Sequence, residues 1–348
     1  MSKVNLNNYV CKNPFKILEM HEWFNAQCCP TWLSKFIPIN INLDKVWNST
    51  EAIEVRESVM DGSYKFCDKT QCPYLEYLLK YGEVDKSGPI VHKSEFPINL
   101  INTSGPHRLD LDFDRSCNYK CPSCRKDTYM ADDEKIDEVE KRLIEVKNVF
   151  GNSVKELYLS ASGDPLVSKT YRKFLQTFNP SEFPNLKSIH FHTNASMWNL
   201  KVWNSMPNIH KFVKSCEISI DAATKETYET KVRLNGNWDN LISNLKFIST
   251  LQELKLIKPS FVVQQKNYKE MYDFVKLMKS IFGDKVLVLF TKINNWGTFT
   301  EDEFLKEKIW DSNHPEYTDF LVELNKIKEL SNVYHNMHDL IDIEKKII

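Results

Sequence analysis

The chain has 348 residues, of which 42% are hydrophobic and 27% are charged, so we expect a globular protein with one large domain and one small one. The formal net charge of -1 gives no sign of a surface that binds a polyanion, and no nucleic-acid partner is expected. The first ten residues are polar, unlike a secretion signal, and no apolar run is long enough to cross a membrane. We therefore expect a cytoplasmic protein with no membrane partner.

The first 80 residues show only short, irregular segments, yet they contain five of the nine cysteines. Cysteines that cluster in a reducing compartment are more often metal ligands or catalytic groups than disulfides. Glycine and proline residues over 81–105 predict a connector after this region. The five cysteines are Cys11, Cys28, Cys29, Cys67 and Cys72.

From residue 106 onward, strand and helix patterns alternate, which predicts an α/β fold with a parallel sheet, either doubly wound or a partial barrel. The predicted strands are Arg108–Phe113, Lys155–Ala161, Ser188–Thr193, Cys216–Asp221, Pro259–Val263 and Lys285–Leu289. The predicted helices between them are Asp132–Val149, Ser168–Phe178, Leu200–Met206, Trp238–Leu251 and Tyr268–Ile281. Residues after Gly297 are polar and mostly helical, with a further helix from about Glu316 to Leu330.

Several predicted strands alternate polar and apolar residues, whereas buried parallel strands usually read as continuous apolar runs. One example is the fourth strand, which places Glu217, Ser219 and Asp221 at every second position. Because side chains alternate between the two faces of a strand, the sheet should have one apolar and one polar face. A sheet curled around a polar lumen fits this pattern. The alternative is an antiparallel sheet with one wet face, which the intervening helices disfavour.

The strongest local signal is the spacing of Cys117, Cys121 and Cys124, a C-x3-C-x2-C motif directly after the first predicted strand. Three thiolates this close together converge only on a metal or a cluster, since their repulsion is otherwise uncompensated. No Cys or His follows within ten residues of Cys124, and three ligands would leave one iron of a cubane cluster free. A zinc site and unliganded buried cysteines are the alternatives.

This motif resembles the signature of the radical S-adenosylmethionine (SAM) superfamily, and the resemblance covers about residues 106–295. It implies a partial (βα)6 TIM-like barrel with a [4Fe–4S] cluster on Cys117, Cys121 and Cys124. It implies that SAM chelates the fourth iron through its amino and carboxylate groups. It further implies that one electron cleaves SAM to a 5'-deoxyadenosyl radical, which abstracts a hydrogen atom from a polar substrate. An electron donor such as flavodoxin or ferredoxin is then the expected partner.

Two segments look like SAM-binding segments of that family. Ser160-Ala-Ser162-Gly163-Asp164-Pro follows the second predicted strand and looks like the family's Gly-Gly-Glu-Pro turn, in which backbone groups receive the SAM amino group. An ordinary Ser-Gly-Asp-Pro turn is the alternative. Asn194, in His192-Thr-Asn-Ala, resembles the Thr-Asn-Gly end of the third strand.

Further SAM contacts are implied near the ends of the fourth and fifth strands. Ser219 and Asp221 resemble the pair that hydrogen-bonds the SAM ribose, and their spacing should place both on the lumen face. Arg233 matches an arginine that approaches the SAM carboxylate, with a solvated surface charge as the alternative. Gln264 closes the fifth strand and is predicted to meet the adenosyl group.

The third and fourth strands carry three more residues of interest. His190 and His192 are spaced as a metal-binding pair, but we favour a role in lining the polar lumen. Cys216 falls on the apolar face of its strand and is predicted to be a core thiol.

The N-terminal cysteines resemble the auxiliary-cluster modules called SPASM or twitch domains, which share the Trp-Asn and late Cys-Pro features seen here. Unlike those modules, this region precedes the barrel, and it has too few cysteines for two clusters. The prediction is therefore one auxiliary [4Fe–4S] cluster, with Cys29 as the spare thiol. A zinc knuckle and free thiols are the alternatives. The predicted ligands are Cys11, Cys28, Cys67 and Cys72.

The predicted domains are an auxiliary module over 1–80, a linker over 81–105, the partial barrel over 106–297 and a helical extension over 298–348. The predicted function is radical SAM chemistry assisted by the auxiliary cluster. Its substrate would be a small polar molecule or a peptide, in sugar-like alcohol dehydrogenation or ribosomal peptide maturation. The alternative is a non-catalytic adaptor that binds zinc or a cluster.

Overall fold

The structure is a computed structural model, and it describes residues 4–97, 105–159, 162–328, 330–337 and 340. The chain divides into two compact units. The first contains the residues up to Asp114, with Asp133–Ser162 and Asn179–Ser188. The second contains Arg115–Asp132, Gly163–Phe178 and the residues from Ile189 onward. Among the described residues, no helix combines the length and the apolar character needed to cross a membrane.

The first unit contains a mixed five-stranded sheet and a separate two-stranded pair. Its strands are β1 (Tyr9–Cys11), β2 (Ile17–His21), β3 (Phe24–Ala26), β4 (Ile37–Pro38), β5 (Ile90–His92), β6 (Arg108–Asp112) and β7 (Glu156–Leu159). Its helices are α1 (Leu43–Val46), α2 (Thr50–Met60), α3 (Pro73–Tyr81) and α4 (Asp133–Phe150). The sheet order is β7-β6-β2-β3-β4, with β7, β6 and β2 parallel and the other pairs antiparallel. Strands β1 and β5 pair with each other.

The first 80 residues are more regular than the sequence predicted. Strand β2 pairs in parallel with β6, so this region shares a sheet with the first predicted barrel strand. The cap of α2 is the Ser49 side chain, which accepts from the Ala52 N–H at 3.3 Å. Helix α3 begins at Pro73 and ends at Tyr81, and it is capped by Gly82, whose φ of 75° suits a glycine. The first 80 residues belong to the same compact unit as β6 and β7, and no boundary between the two units lies at residue 80.

The second unit is built on five parallel strands in the order β12-β11-β10-β9-β8. Phe261, Phe274 and Phe290 form an aromatic cluster in its core, with ring centroids 5.0–6.1 Å apart. Its strands are β8 (Ser188–Thr193), β9 (Val213–Ser219), β10 (Leu256–Val263), β11 (Val288–Lys292) and β12 (Val333–His335). Its helices are α5 (Lys169–Gln176), α6 (Leu200–Asn204), α7 (Lys225–Thr227), α8 (Trp238–Ser249), α9 (Met271–Phe282), α10 (Glu301–Glu307) and α11 (Tyr317–Ile327).

The α/β class and the mostly parallel pairing are confirmed, and all six predicted strands exist as β6 to β11. The last of them is displaced. It was predicted over Lys285–Leu289, but a 3-10 turn occupies Gly283–Lys285 and the strand begins at Val288. The C-terminal region also differs, because β12 adds a parallel strand to a region that was predicted to be mostly helical.

The predicted polar face exists in the sheet of the second unit. His192 of β8 is in register with Glu217 of β9, which is in turn in register with Lys258 of β10. One step further along, Ser219 is in register with Ser260. The opposite face is apolar. There Phe191, Cys216, Ile218 and Phe261 are fully buried, which confirms Cys216 as a core thiol.

Candidate functional site

The loop that carries Cys117, Cys121 and Cys124 is closed on itself by backbone hydrogen bonds. The Cys117 N–H donates to the Tyr129 carbonyl at 2.8 Å, and the Tyr129 N–H donates back at 3.3 Å. A tight turn follows, in which the N–H groups of Cys124 and Arg125 both donate to the Cys121 carbonyl. Cys117 and Cys121 are buried and Cys124 is exposed. The loop thus presents its three thiols from one short, fixed segment.

The ends of three neighbouring strands in the same unit each carry a predicted site residue. Asn194 comes directly after β8 and Gln264 directly after β10, and Asp221 is the second residue after β9. These strands are adjacent and parallel, so their carboxyl ends lie at one edge of the sheet, where ligand sites of α/β folds are found. Asn194 reaches the cysteine loop directly, since its Nδ2 lies 3.0 Å from Asn118 Oδ1 and 3.7 Å from Cys117 Sγ.

Asp164 positions its neighbours. Its buried carboxylate accepts four hydrogen bonds of 2.7–3.1 Å, so its oxygens are already used. Burial raises its pKa, and those bonds oppose the rise. Its N–H also donates to the Ser116 carbonyl at 2.8 Å, which ties the turn to the start of the cysteine loop. The four donors are the Leu166, Val167 and Asn194 N–H groups and the Thr193 hydroxyl.

Arg233 is buried, so the alternative of a solvated charge is wrong. Its Nη2 lies 2.7 Å from Asp221 Oδ2, and its Nη1 donates to Cys121 Sγ at 3.4 Å. Its buried Nε has no hydrogen-bond partner among the described residues. The Nε edge of the guanidinium therefore remains available to an anionic ligand. Such a ligand would be favoured there, because a buried donor without a partner costs free energy.

Asp221 does not continue the strand pattern from which its orientation was predicted. Strand β9 ends at Ser219, and Asp221 has a φ of 62°, in the left-handed region. Its Oδ1 accepts from the Val262 N–H at 2.7 Å, and its Oδ2 pairs with Arg233. Ser219 instead lies 3.1 Å from His192 Nε2. The two residues thus have different surroundings, and Asp221 is engaged in holding Arg233.

A five-residue π-helix, Tyr228–Val232, leads directly into Arg233. Such segments are frequent at functional sites. The Tyr228 hydroxyl lies 3.1 Å from the Tyr119 hydroxyl inside the cysteine loop, and both rings are buried. A Cβ on Gly236 would come within 2.6 Å of the Tyr228 ring and 2.7 Å of the Arg233 carbonyl, so only glycine fits there. This tyrosine pair was not predicted, since 109 residues separate its members.

Gln264 is 1% exposed, yet neither its amide nitrogen nor its amide oxygen has a hydrogen-bond partner within the part of the chain that the structure describes. Its backbone is fixed, because its N–H donates to Asn267 Oδ1 at 2.9 Å. Asn267 in turn donates to the carbonyls of Asp221 and Val262, both at 2.9 Å. A buried amide with two unused groups at a strand end indicates a site for a polar ligand.

The predicted turn after β7 is only partly described. Ser160 lies outside the described residues. Ser162 donates its N–H and its hydroxyl to Asp112 Oδ1, at 2.7 and 2.8 Å. The other Asp112 oxygen lies 2.9 Å from Nδ1 of His21, whose Nε2 is 3.4 Å from Glu19. Gly163, the next residue, is half-buried. His21 and Asp112 were missed because no motif marks them and β2 was not predicted.

His190 and His192 line the polar face and are hydrogen-bonded there, as favoured from the sequence. His190 Nδ1 lies 2.7 Å from the hydroxyl of Ser215. His192 contacts Ser219 and lies 3.7 Å from Glu217.

The N-terminal thiols form a second group of cysteine side chains, within the first unit. Cys11, Cys67 and Cys72 pack on one apolar cluster of the core, and Cys28 and Cys67 pack on another. Cys29 differs, because its thiol lies 3.4 Å from the Thr31 hydroxyl. Burial raises the pKa of Cys11, and the nearby charges of Cys72 and Cys67 add to that rise. The four predicted ligands therefore lie close to one another.

The donors around these thiols are neutral. Trp32 Nε1 donates to Cys28 Sγ at 3.2 Å, and Asn13 Nδ2 lies 3.8 Å from the same sulfur. Backbone N–H groups at the start of α3 oppose the rise that burial causes in the pKa of Cys72. In the cysteine loop, by contrast, a charged group donates, because Cys121 Sγ accepts a hydrogen bond from Arg233. Burial raises the pKa of Cys117 to about 11.

Among the described residues, no three or more His, Cys, Asp or Glu side chains are placed to hold one metal ion. A zinc ion needs such convergence, because all its ligands bind at about 2.0–2.3 Å from one centre. In a [4Fe–4S] cluster each thiolate binds a different iron, so its ligands need not converge on one atom.

No protein-family model matches the chain, and no curated protein matches it. Among the solved structures that resemble it is Streptococcus suis SuiB bound to S-adenosylmethionine, with a TM-score of 0.43 and 14% identity over 82% of this chain and 56% of that one. Another is anSMEcpe with bound AdoMet, with a TM-score of 0.39 and 17% identity over 55% and 52%. BtrN in complex with AdoMet and 2-DOIA gives 0.24 and 12% over 46% and 67%. The chain spans about half the length of the first two, and likenesses this remote carry over neither a residue nor an activity.

Proposed function

We propose that this chain is a radical SAM enzyme that holds a [4Fe–4S] cluster on Cys117, Cys121 and Cys124. One observation carries the proposal. In the unit that presents these three thiols, Arg233 Nε and the Gln264 amide are among the buried polar groups that have no hydrogen-bond partner in the described residues. Three thiols leave one iron of a cubane free, and the two polar groups supply contacts for the ligand of that iron.

The bound cluster and SAM would supply a 5'-deoxyadenosyl radical that abstracts a hydrogen atom from the substrate. The residues of the chain hold and orient the ligand. The free edge of Arg233 suits a carboxylate, and the amide of Gln264 can both donate to and accept from the adenosyl group. Asp164 and Asp221 act as positioning residues, because their carboxylates are already hydrogen-bonded or paired with other groups of the protein.

We infer that Cys11, Cys28, Cys67 and Cys72 hold a second, auxiliary [4Fe–4S] cluster. The support is their common packing, the placement of Cys29 beside Thr31, and the N–H donors that face Cys28. A zinc knuckle is the alternative, and metal analysis of the purified protein separates the two. Relation to a SPASM or twitch module stays a prediction, as does closure of β6 to β11 into a partial (βα)6 barrel.

The substrate we propose is a small polar molecule or a peptide, modified or oxidised with help from the auxiliary cluster. The support is the polar sheet face, where His192, Glu217 and Lys258 are in register. A ligand on this face would meet both signs of charge and several hydroxyl groups. A cytoplasmic location and a flavodoxin or ferredoxin electron donor complete the proposal.

The test is anaerobic purification followed by iron analysis and reduction with dithionite in the presence of SAM. Two clusters predict a brown protein with about eight irons per chain, which releases 5'-deoxyadenosine. A colourless protein that contains zinc and releases no 5'-deoxyadenosine would instead establish the adaptor and sink the enzyme.

A further inference from the structure

Arg233 contacts a cysteine sulfur and a carboxylate through different nitrogens of one guanidinium group. Nη1 donates to Cys121 Sγ at 3.4 Å, and Nη2 lies 2.7 Å from Asp221 Oδ2. The residue is 9% exposed, so water screens this charge only weakly. An arginine that only bound a carboxylate ligand would have no need to donate to a cysteine sulfur. The sulfur contact therefore calls for its own explanation.

We propose that Arg233 sets the reduction potential of the cluster held by Cys121, in addition to any contact it makes with SAM. This inference rests on the proposed function, since it requires a cluster on the cysteine loop. Arg233 is on this account a positioning residue whose charge acts on the cluster through the sulfur of Cys121.

The physical reason is the charge that a cluster gains on reduction. An added electron makes the cluster more negative, so a buried cation beside a ligand sulfur stabilises the reduced form. A hydrogen bond from a charged donor is roughly twice as strong as one from a neutral donor. Asn194 offers only the neutral kind to Cys117, at the longer distance of 3.7 Å. Arg233 should therefore raise the potential more than Asn194 does.

The surroundings of Arg233 hold the guanidinium in this position. The π-helix Tyr228–Val232 ends at Arg233, and the Arg233 N–H donates to the Tyr228 carbonyl at 2.8 Å. The Lys120 N–H of the cysteine loop donates to the Leu234 carbonyl at 3.2 Å, which joins the two segments. Asp221 opposes the effect of the arginine, because its negative charge disfavours reduction. Removing each partner of this ion pair should therefore shift the potential in opposite directions.

The experiment is a redox titration of the reconstituted protein by electron paramagnetic resonance, without SAM, so that a lost SAM contact cannot contribute. In a Cys72→Ala background only the cluster on the cysteine loop should be present. Arg233→Gln should lower the equilibrium constant for reduction about tenfold, which is about 59 mV for one electron. Asp221→Asn should raise the constant. Arg172→Gln is the matched control, because Arg172 donates to the Leu166 carbonyl and should leave the potential unchanged.

Equal potentials for Arg233→Gln and Arg172→Gln would overturn the inference, as would a downward shift in Asp221→Asn. If Arg233→Gln fails to retain iron, then Arg233→Lys and Asp221→Asn decide. The lysine keeps the charge and should shift the potential less than threefold, while Asp221→Asn must still shift it upward. Absence of any cluster in the parent protein would instead overturn the proposed function, so the two failures are distinguishable.

Discussion

The two groups of thiols differ in how the chain presents them. Cys117, Cys121 and Cys124 come from one loop, whereas the N-terminal four come from three segments, with Cys67 and Cys72 together between α2 and α3. The loop thiols lie near the cations Arg233 and Arg125. The N-terminal thiols pack on apolar core clusters and receive hydrogen bonds from neutral donors, and the charges of Lys12 and Lys69 act on Cys11 and Cys67 without such a bond. On the proposed assignments, this contrast would separate a site that keeps one position open to a ligand from a site that four ligands close.

The largest difference between the two groups of thiols is expected when the three loop thiols are removed together. The triple variant Cys117→Ala, Cys121→Ala and Cys124→Ala should reduce 5'-deoxyadenosine formation to the background level. It would lack the cluster whose free iron is proposed to bind SAM. About four irons per chain should remain on the N-terminal thiols. Iron analysis and chromatography of the reaction measure both quantities. Retained 5'-deoxyadenosine formation would contradict the assignment of this loop.

Removing one N-terminal ligand should have a different effect. Cys72→Ala should lose about four irons per chain and lower the stability of the first unit, because cluster binding and folding of its ligand segments are coupled. Its reduction with SAM should still release 5'-deoxyadenosine, without conversion of the natural substrate. Cys29→Ala is the matched control and should keep all its iron, since its thiol contacts Thr31. If Cys29→Ala lost iron and Cys72→Ala did not, the ligand assignment would be wrong.

The polar network next to β6 should make the stability of the first unit depend on pH. Burial disfavours a charged His21, but its hydrogen bonds to Asp112 and Glu19 outweigh burial and raise its pKa to about 9. The ordinary value is about 6.5, so the stabilisation is complete below pH 6.5 and is lost as the pH rises through 9. Its upper limit is about 3 kcal/mol.

His21→Gln should remove that dependence, and denaturant unfolding of both proteins at pH 6 and pH 9.5 measures the difference. The native protein should lose stability relative to His21→Gln over this range. A constant difference between the two proteins would show that these carboxylates do not stabilise the protonated form of His21. The second unit serves as an internal reference, since His21 belongs to the first.

Gln264 tests the open character of the loop site. Replacing its amide by an apolar side chain removes two buried groups that have no partner in the described residues, so Gln264→Leu should fold as stably as the parent or up to about 1–3 kcal/mol more stably. The same change should weaken SAM binding about tenfold, or about 1.4 kcal/mol. Calorimetry measures both. Gln176→Leu is a control, because Gln176 is exposed and bonds Ser205. Unchanged SAM binding would remove Gln264 from the site.

How much of the fold and of the candidate site the sequence could predict depends on how far apart in the chain the interacting residues are. The cysteine motif and the alternating strands are local patterns, and both were found. Arg233 was named from its local motif, but its contact with Cys121 spans 112 residues and has no local signal. For the same reason the predicted roles of Asp164 and Asp221 as ligand contacts differ from their observed bonds. Thr193 and Val262, which donate to these two carboxylates, belong to other strands that only the folded chain brings close.

The smallest expected effect concerns the neutral donor at the N-terminal site. Trp32→Phe removes the N–H that lies 3.2 Å from Cys28 Sγ while keeping most of the ring. A net contribution of about 0.5 kcal/mol predicts a two- to threefold fall in the equilibrium constant for reduction of the auxiliary cluster. This shift should be smaller than the one expected for Arg233→Gln, because a neutral donor stabilises added negative charge less than a cation does.

The measurement is a redox titration of the N-terminal cluster in the protein that lacks the three loop thiols. Trp23→Phe is the control, since Trp23 lies in the same unit but its side chain is 62% exposed. A shift for Trp32→Phe as large as that for Arg233→Gln would mean that the charge of the donor is not what separates the two sites. Any difference between the potentials of the two clusters would then have to come from the number of thiolates, because a fourth thiolate would add one negative charge to the N-terminal cluster.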